Sequence, residues 1–354
     1  MSPNILFICG SLNQTTQMHQ IASQMPDCNC QFTPFYADGM EDFAARLGWL
    51  NSTILGGRHR SDTITYLADH RLPVDWRGAK HSYDLVVLCT DLIIPRNVQR
   101  SRVVLVQEGI TVPEGPMYQL VRNIKFLPRY LADTSATGLS DGYDLFCVAS
   151  EGYRELFIQK GIRPEKIAVT GIPNFDNLAS NTHNPFPQRD YLLVATSPYR
   201  EAGHFEDRLG FIRKCVQIAA GRPMIFKLHP LENAVRARKE IASIIPSAQI
   251  FTTGNVNHMI ANAGTVITQQ SSCTFVALAL EKELYTQLDI AELRRLMPIQ
   301  NSGDSARRIA GLCQRILHTP LPQLEGTRFR SRDRMKAPSL ASRIQKRVRE
   351  TPNP

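Results

Sequence analysis

Runs of apolar residues alternate with amphipathic stretches along the whole chain. In the first half, five apolar runs predict buried strands at 4–10, 83–91, 102–109, 143–150 and 166–171. Helical patterns lie near 19–24, at 58–71 and from 151 to 160. Continuous apolar strands of this kind indicate a parallel sheet that is covered by helices on both faces.

The second half repeats this rhythm. It predicts strands at 191–197, 223–229, 248–254, 265–270 and 283–288, with helices at 205–220, 234–244, 273–280 and 304–317. A polar segment that contains two prolines, NTHNPFPQRD at 181–190, separates the halves as a linker would. We therefore predict an α/β protein with two doubly wound domains, 1–180 and 181–325, that face a cleft.

Composition places the chain among ordinary globular proteins. It has 354 residues, of which 43% are hydrophobic, and this length allows two domains. Its apolar runs are all shorter than the roughly 20 residues that span a bilayer. The apolar run near the start follows no basic segment, so we predict no signal peptide. Eight scattered cysteines suit reduced thiols in the cytoplasm.

Positive charge is concentrated at the end of the chain. Residues 326–354 hold nine Lys or Arg and two acids, so they carry +7 of the total +9 and leave +2 for the remainder. Leu340, Ile344 and Val348 would share one face of a helix there. A basic amphipathic helix on the inner face of an anionic membrane is one interpretation, and a solvated tail is the favoured one. Because basic residues cluster nowhere else, we predict no nucleic-acid partner.

Several common catalytic motifs are missing from the sequence. The first strand is followed by CGS rather than by a GxGxxG run, and the chain has no Walker loop, GxSxG elbow or HExxH pair. These absences argue against a dehydrogenase, a P-loop NTPase, a serine hydrolase and a zinc protease.

Three strand ends carry side chains that could face one cleft. Glu108 directly follows an apolar strand, where a carboxylate could act as a general base. His229, in KLHP, also ends a strand and could donate to a phosphate oxygen. Ser271, Ser272 and Thr274 stand between a strand and a helix, where hydroxyls and free backbone N–H groups can hold an anion. Taken singly, each has a plain alternative: a loop acid, a structural histidine and a helix cap.

Further polar residues follow other predicted strands. Gly10 and Ser11 would lie on the acceptor side, in the first domain. Ser197, Arg200, Lys227 and Thr253 would lie at the nucleotide side, in the second domain. Because ligands bind beyond the carboxyl ends of parallel strands, these positions are candidates for substrate contacts.

Three short motifs occur in this order along the chain: Glu108–Gly109, His229–Pro230 and Ser271–Ser272. Their order resembles that of the inverting GT-B transferases that use cytidine nucleotides. That group includes bacterial sialyltransferases, Kdo-transferase-like capsule enzymes and CDP-glycerol glycerophosphotransferases. The segment VTGIPNFD at 169–176 is also similar to the interdomain segment of GT-B enzymes and UDP-N-acetylglucosamine 2-epimerases. The resemblance covers roughly residues 1–318 and implies two Rossmann-like domains.

The resemblance also implies roles. Glu108 would be the base for an acceptor hydroxyl, while His229, Ser271 and Ser272 would contact the donor phosphate. The implied activity is metal-independent inverting transfer from a CMP- or CDP-type sugar donor, without a cofactor. The acceptor would be a glycan or a lipid-linked glycan in surface polysaccharide biosynthesis. The chain departs from the family where a glycine is replaced by Glu281, and where glycerophosphotransferases have histidine in place of Glu108.

Two other functions stay open on the sequence alone. One is a sugar-nucleotide epimerase, which would use further acids such as Asp91 and Glu114. The other is a protein that binds nucleotides without catalysis.

Overall fold

The structure is a computed structural model, and it describes residues 2–320 except 51, 52, 54, 112, 113, 125, 126, 202 and 204. The predicted basic tail at 326–354 lies outside the described residues. Its contact with a membrane therefore stays a prediction.

The first half is built on a six-stranded sheet in which every pair is parallel. Its strands are β1 Asn4–Ile8, β2 Asn29–Thr33, β3 Leu85–Leu88, β4 Arg102–Val106, β5 Leu145–Val148 and β6 Ile167–Val169. They lie in the order β2-β1-β3-β4-β5-β6. Every residue of β3 and β5 is buried, because helices cover both faces of the sheet.

The described part of the first half contains the α-helices α1 Leu12–Ala22, α2 Gly39–Arg46, α3 Gly57–Asp69, α4 Pro116–Asn123 and α5 Glu151–Lys160. Ser11 caps α1, since its hydroxyl accepts from the Gln14 N–H. Ser150 caps α5 in the same way through the Tyr153 N–H, and Gly161 ends that helix in the left-handed conformation.

The second half holds a five-stranded parallel sheet. Its strands are β7 Leu192–Ala195, β8 Met224–Lys227, β9 Gln249–Phe251, β10 Thr265–Thr268 and β11 Glu283–Tyr285, in the order β11-β10-β7-β8-β9. The helices that follow are α6 Arg208–Ala219, α7 Ala234–Ala242, α8 Val256–Asn262, α9 Cys273–Ala279, α10 Ile290–Leu296 and α11 Ser305–His318.

The strand order reverses once in each sheet. The reversal lies between β1 and β3 in the first sheet and between β7 and β10 in the second. Ligands of doubly wound folds bind beyond the carboxyl ends of the strands at such points. The predicted α/β class with two Rossmann-like sheets is confirmed, and residues 108, 229 and 271 all follow strands on the ligand-binding side.

The chain crosses back to the first half at its end. Although α11 follows the second sheet in sequence, Ala306, Ile309 and Cys313 are buried against the residues of the first sheet. Asp176 fixes the start of this return, because its carboxylate accepts from the N–H groups of Asn301 at 2.6 Å and Ser305 at 2.5 Å. The domain boundaries at 180 and 325 stay a prediction, but α11 packs with the first half.

The structure gives a physical reason for the glycine at 171, in the segment VTGIPNFD. It has a φ of +76°, and a Cβ there would lie 2.3 Å from Ser305 Oγ. A side chain at this position would therefore be strained and would also push α11 away.

Some elements were missed by the apolar pattern. The strand β2 has the sequence NCQFT and lies at the edge of its sheet, where only its last two residues are buried. A short edge strand carries too few apolar residues to stand out. The helices α2, α4 and α10 are seven or eight residues long and were also missed.

Candidate functional site

Glu108 follows β4, and its carboxylate is held by the first turn of α1. Ser11 Oγ and Asn13 Nδ2 donate to Oε1 at 3.1 and 3.2 Å, and Gln14 Nε2 donates to Oε2 at 2.7 Å. The Gly10 N–H donates in turn to Gln14 Oε1 at 2.9 Å. The structure thus brings the predicted residues Gly10, Ser11 and Glu108 together, and three donors fix the orientation of one carboxylate.

A cavity of about 800 Å³ opens beside Glu108. Its lining comes mainly from the first half: the ends of β3 and β4, the segment from α2 to α3, and residues 130–137. Glu201 joins it from the second half. The cavity therefore lies where a substrate could reach Glu108 from the cleft.

His229 follows β8, and its backbone and ring are both held. Its N–H donates to Thr196 Oγ1 at 3.1 Å and to Glu232 Oε2 at 3.0 Å. Its Nδ1 accepts from the Leu231 N–H at 3.2 Å, which leaves the proton of the neutral ring on Nε2.

The electrostatic surroundings keep the His229 ring neutral. Burial, with smaller contributions from the nearby His59 and Lys227, lowers the pKa of His229 to about 4. At neutral pH the group is therefore an uncharged donor through Nε2–H.

A buried ion pair supports the loop that carries His229. Glu232 pairs with Arg208, and both residues are more than nine-tenths buried. The Glu232 carboxylate also accepts from Thr196 Oγ1, so it joins the end of β7 to the end of β8. Burial raises the pKa of Glu232, and the positive charge of Arg208 opposes that shift.

The start of α3 connects the two halves. Arg58 Nη1 donates to the carbonyl of Pro230 at 2.6 Å, next to His229 in the chain. His59 lines the cavity beside Glu108 and interacts electrostatically with both Glu108 and His229. Burial lowers the pKa of His59, although Glu108 acts in the opposite direction. The acid of the first half and the histidine of the second half thus share one neighbour.

The halves also meet at Gly109 and Ser272. Ser272 Oγ accepts from the Ile110 N–H at 3.4 Å, and a Cβ on Gly109 would lie 2.9 Å from that hydroxyl. The small size of Gly109 is what this contact requires. It allows close approach of the second half.

The other residues of the QSSCT segment are engaged within the helix start. Ser271 Oγ accepts from the Cys273 N–H, and Thr274 Oγ1 donates to the Ser271 carbonyl. Thr274 is fully buried, and α9 is only seven residues long. Their predicted role as phosphate ligands stays a prediction.

The remaining predicted nucleotide-side residues are dispersed. Lys227 is buried with Nζ donating to the Leu228 carbonyl at 2.9 Å, and burial lowers its pKa. Arg200 forms a two-bond ion pair with Glu240 at 2.6 and 2.7 Å. Thr253 is exposed in the loop after β9, and β7 and β8 separate that strand from β10.

Ser197 lies at the reversal point of the second sheet. Within the described part of the chain, Ser197 Oγ, Thr268 Oγ1 and Gln269 Oε1 are buried without a hydrogen-bond partner. These atoms come from the ends of β7 and β10. Unpaired buried polar atoms are uncommon in folded proteins and often mark a ligand or water site.

Sequence reasoning missed Arg58, His59 and Glu232. Glu232 follows His229 by three residues, a spacing that allows a side chain to bind the backbone at the start of a turn. The two α3 residues gave no such signal, because their partners are about 50 or 170 residues away in the chain.

The acids considered for an epimerase have other partners. The Asp91 carboxylate is buried and accepts from the N–H groups of Gly138 at 2.8 Å and Ser140 at 2.9 Å. Glu114 lies 3.9 Å from Lys160 Nζ. Asp91 thus shapes a loop rather than presenting its carboxylate to the cavity.

Within residues 2–320, apart from the gaps named above, no three His, Cys, Asp or Glu side chains form a group that could hold a metal ion. In the same part of the chain, no helix is both long and apolar enough to cross a membrane.

Comparison with solved structures identifies enzymes of the GT-B fold. A Neisseria meningitidis UDP-GlcNAc 2-epimerase bound to UDP-GlcNAc matches with a TM-score of 0.55 and 12% identity, covering 88% of this chain and 100% of that one. A Methanocaldococcus jannaschii UDP-GlcNAc 2-epimerase in complex with UDP-GlcNAc and UDP matches with a TM-score of 0.54 and 15% identity, covering 88% of this chain and 99% of that one.

A third similar structure is the wall teichoic acid polymerase TagF with CDPG. Its TM-score is 0.50 at 12% identity, covering 91% of this chain and 90% of that one. No protein-family model matches the chain, and no curated protein matches it either. At these identities the comparisons establish the fold, which is GT-B, and leave the reaction open.

Proposed function

We propose that the protein is an inverting, metal-independent glycosyltransferase that uses a nucleotide-activated sugar, of the CMP or CDP type, as its donor. The observation that carries this proposal is the opposition of Glu108 and His229. Each is held rigidly at a strand end of a different sheet, and both interact with His59 in the cleft.

Glu108 is the base in this mechanism. Glu108 lines the cavity, so an acceptor hydroxyl placed beside its carboxylate can transfer its proton to Glu108. The acceptor oxygen then forms a bond to the anomeric carbon while the bond from that carbon to the donor phosphate breaks. One displacement of this kind inverts the anomeric configuration.

His229 stabilises the departing phosphate in this mechanism. Because Nδ1 already accepts the Leu231 N–H, Nε2–H is the group that can donate to a phosphate oxygen. The unpaired polar atoms of Ser197, Thr268 and Gln269 support a nucleotide site at the nearby end of the sheet. No cofactor enters the proposed reaction, and the donor is a substrate.

An epimerase would have the same fold as the proposed transferase and would also use a nucleotide sugar as its substrate. The epimerase structures named above contain UDP-GlcNAc, so UDP binding is the observation that would favour this function. The contacts of Asp91 and Glu114 favour the transferase, because both candidate epimerase acids are already engaged.

A thermal-shift screen against CMP, CDP, UMP, UDP and GDP without added metal tests the proposal. A nucleotide at 100 times its Kd adds about 2.7 kcal/mol to the free energy of unfolding. We expect cytidine nucleotides to raise the Tm of the wild-type protein by several degrees, and His229→Ala to reduce the shift by about half or more.

Stabilisation by UDP alone would favour the epimerase or a UDP-sugar transferase. If none of the five nucleotides raised the Tm, the proposed donor class would be wrong. His183→Ala, at an exposed histidine of the linker region, is the matched control.

A further inference from the structure

The cavity beside Glu108 is lined largely by apolar side chains. Glu108 is one of its polar lining residues, and much of the remaining lining consists of aromatic and aliphatic side chains from three segments. These include Phe43, Trp49, Leu50, Leu92, Ile93 and Leu131. A glycan that consisted only of hydroxyl-rich sugars would leave most of this surface without a matching partner.

Three of the wall residues remain accessible. Trp49 is 72% exposed, Phe43 is 60% exposed and Leu131 is 45% exposed. Large apolar side chains that are exposed together around a cavity mark a surface that is covered in a functional state. Burying a ligand chain here would remove apolar area from water on both partners.

The charge of the cavity restricts the ligand further. Glu41, Glu108, Asp133 and Glu201 line it, although Glu201 is paired with Arg236 outside the lining, and no lysine or arginine is among the described lining residues. A phosphate or carboxylate in this cavity would lie among carboxylates without a cationic partner. The lining therefore disfavours an anionic lipid phosphate and favours an uncharged head group.

We propose that this cavity binds a neutral amphiphile, with an uncharged hydroxyl-bearing head at Glu108 and an apolar chain or ring against Trp49 and Leu131. The role of this ligand as the acceptor of the sugar rests on the proposed function. The occupancy of the cavity is a separate matter, because it can be measured without any nucleotide.

Three probes separate the features of this ligand. Octyl β-glucoside below its micelle concentration supplies a neutral head and a chain, methyl β-glucoside supplies only the head, and octyl phosphate supplies the same chain with an anionic head. Each is titrated into the wild-type protein by calorimetry. We expect octyl glucoside to bind at least about tenfold more tightly than methyl glucoside, since two buried methylenes account for such a factor. It should also bind more tightly than octyl phosphate, because the anionic head of that probe would lie among carboxylates.

Fluorescence locates the binding. The chain has two tryptophans, and Trp76 stacks on Phe35 outside this cavity, so Trp76→Phe leaves Trp49 as the reporter. Octyl glucoside should shift the Trp49 emission to shorter wavelength. In this background Leu131→Glu should weaken binding at least about tenfold. Leu120→Glu, at a leucine of the same half that is 43% exposed, should leave it within twofold.

If octyl phosphate bound as tightly as octyl glucoside or more tightly, the proposal of a neutral head group would be wrong. Equal binding of methyl glucoside would overturn the apolar site, as would the lack of any saturable binding of octyl glucoside. Equal losses in Leu131→Glu and Leu120→Glu would place the ligand elsewhere. A failed nucleotide screen together with tight octyl glucoside binding would instead reject only the proposed donor class, and the ligand of the cavity would stand.

Discussion

The two halves share one architecture but hold their functional side chains by different means. In the first half, Glu108 is oriented by three hydrogen bonds from hydroxyl and amide side chains at the start of α1, beside a largely apolar cavity. In the second half, His229 is positioned through Glu232, which forms a buried ion pair with Arg208.

This difference matches the chemistry proposed for each half. A general base must stay ionised and reachable, and neutral donors leave its charge uncompensated. A group that holds a phosphate needs a fixed position and a proton to donate, and the Glu232 carboxylate fixes the backbone while Leu231 fixes the ring. We therefore expect substitution of Glu108 to affect turnover without changing nucleotide affinity, and substitutions in the second half to affect stability and nucleotide affinity as well as turnover.

Glu108→Gln should give the largest effect. The amide cannot accept the acceptor proton, so turnover should fall by about 10² to 10⁴, while the Tm changes little. Release of nucleotide from the donor identified by the screen measures turnover. Glu165→Gln, at an exposed acid of the same half, is the control and should retain activity. Wild-type turnover in Glu108→Gln would exclude Glu108 as the base.

Glu232→Gln should give the next largest effect. It leaves Arg208 with only Glu206 as an ionic partner in the interior, so the free energy of unfolding should fall by about 3 kcal/mol. Urea denaturation measures this change. The half-exposed pair between Arg222 and Glu283 is the comparison, since Glu283→Gln should cost less than about 1 kcal/mol. Equal costs at the two sites would mean that the buried pair is not a special support.

The pH dependence of stability should reveal the buried His229 ring. Its pKa of about 4 lies below the ordinary value of 6.5, so the unfolded chain binds the extra proton first as the pH falls. Stability should therefore be lost between these two values, by about 1.4 kcal/mol per pH unit from this residue. Below pH 4 the folded protein is protonated too, and the loss stops.

His229→Gln should reduce that slope, as measured by urea denaturation at several pH values. His183→Gln, at an exposed histidine, controls for the loss of an imidazole. An unchanged slope in His229→Gln would show that the ring is not buried in its neutral form.

Glu281→Gly should give the smallest effect, and it should be stabilising. Glu281 has a φ of +53°, in the region that glycine adopts without strain. We expect a gain of about 0.5 kcal/mol in the free energy of unfolding. Lys282→Gly, at the next residue, should be destabilising, and a loss of stability in Glu281→Gly would point to a role for its side chain.

The sequence allowed the sheets to be predicted better than the site. Long apolar runs gave β3, β4, β5 and β7 because strands buried on both faces are apolar throughout. Glu108 and His229 were predicted as site residues because each stands at the end of an apolar run, and their roles stay a prediction. The return of α11 to the first half was not predicted, since its apolar face would fit either sheet.

Contacts between distant segments were beyond the sequence. Nothing local distinguishes Arg58 and His59 from other polar residues of an amphipathic helix, and their importance arises only where α3 meets the loop after β8. Arg200 was predicted to lie at the nucleotide side because it follows β7, and in the structure its guanidinium pairs with Glu240. Pairing with a distant acid cannot be read from a loop sequence.

A calorimetric titration tests the division between the halves most directly. The nucleotide that gives the largest thermal shift is titrated into the wild-type protein, His229→Ala and Glu108→Gln. Calorimetry should show at least about tenfold weaker binding to His229→Ala, the cost of one hydrogen bond to a charged group. Binding to Glu108→Gln should stay within about twofold of wild type, because the base of the first half does not hold the nucleotide. Unchanged affinity in His229→Ala, or an equal loss in Glu108→Gln, would contradict the assignment of the nucleotide to the second half.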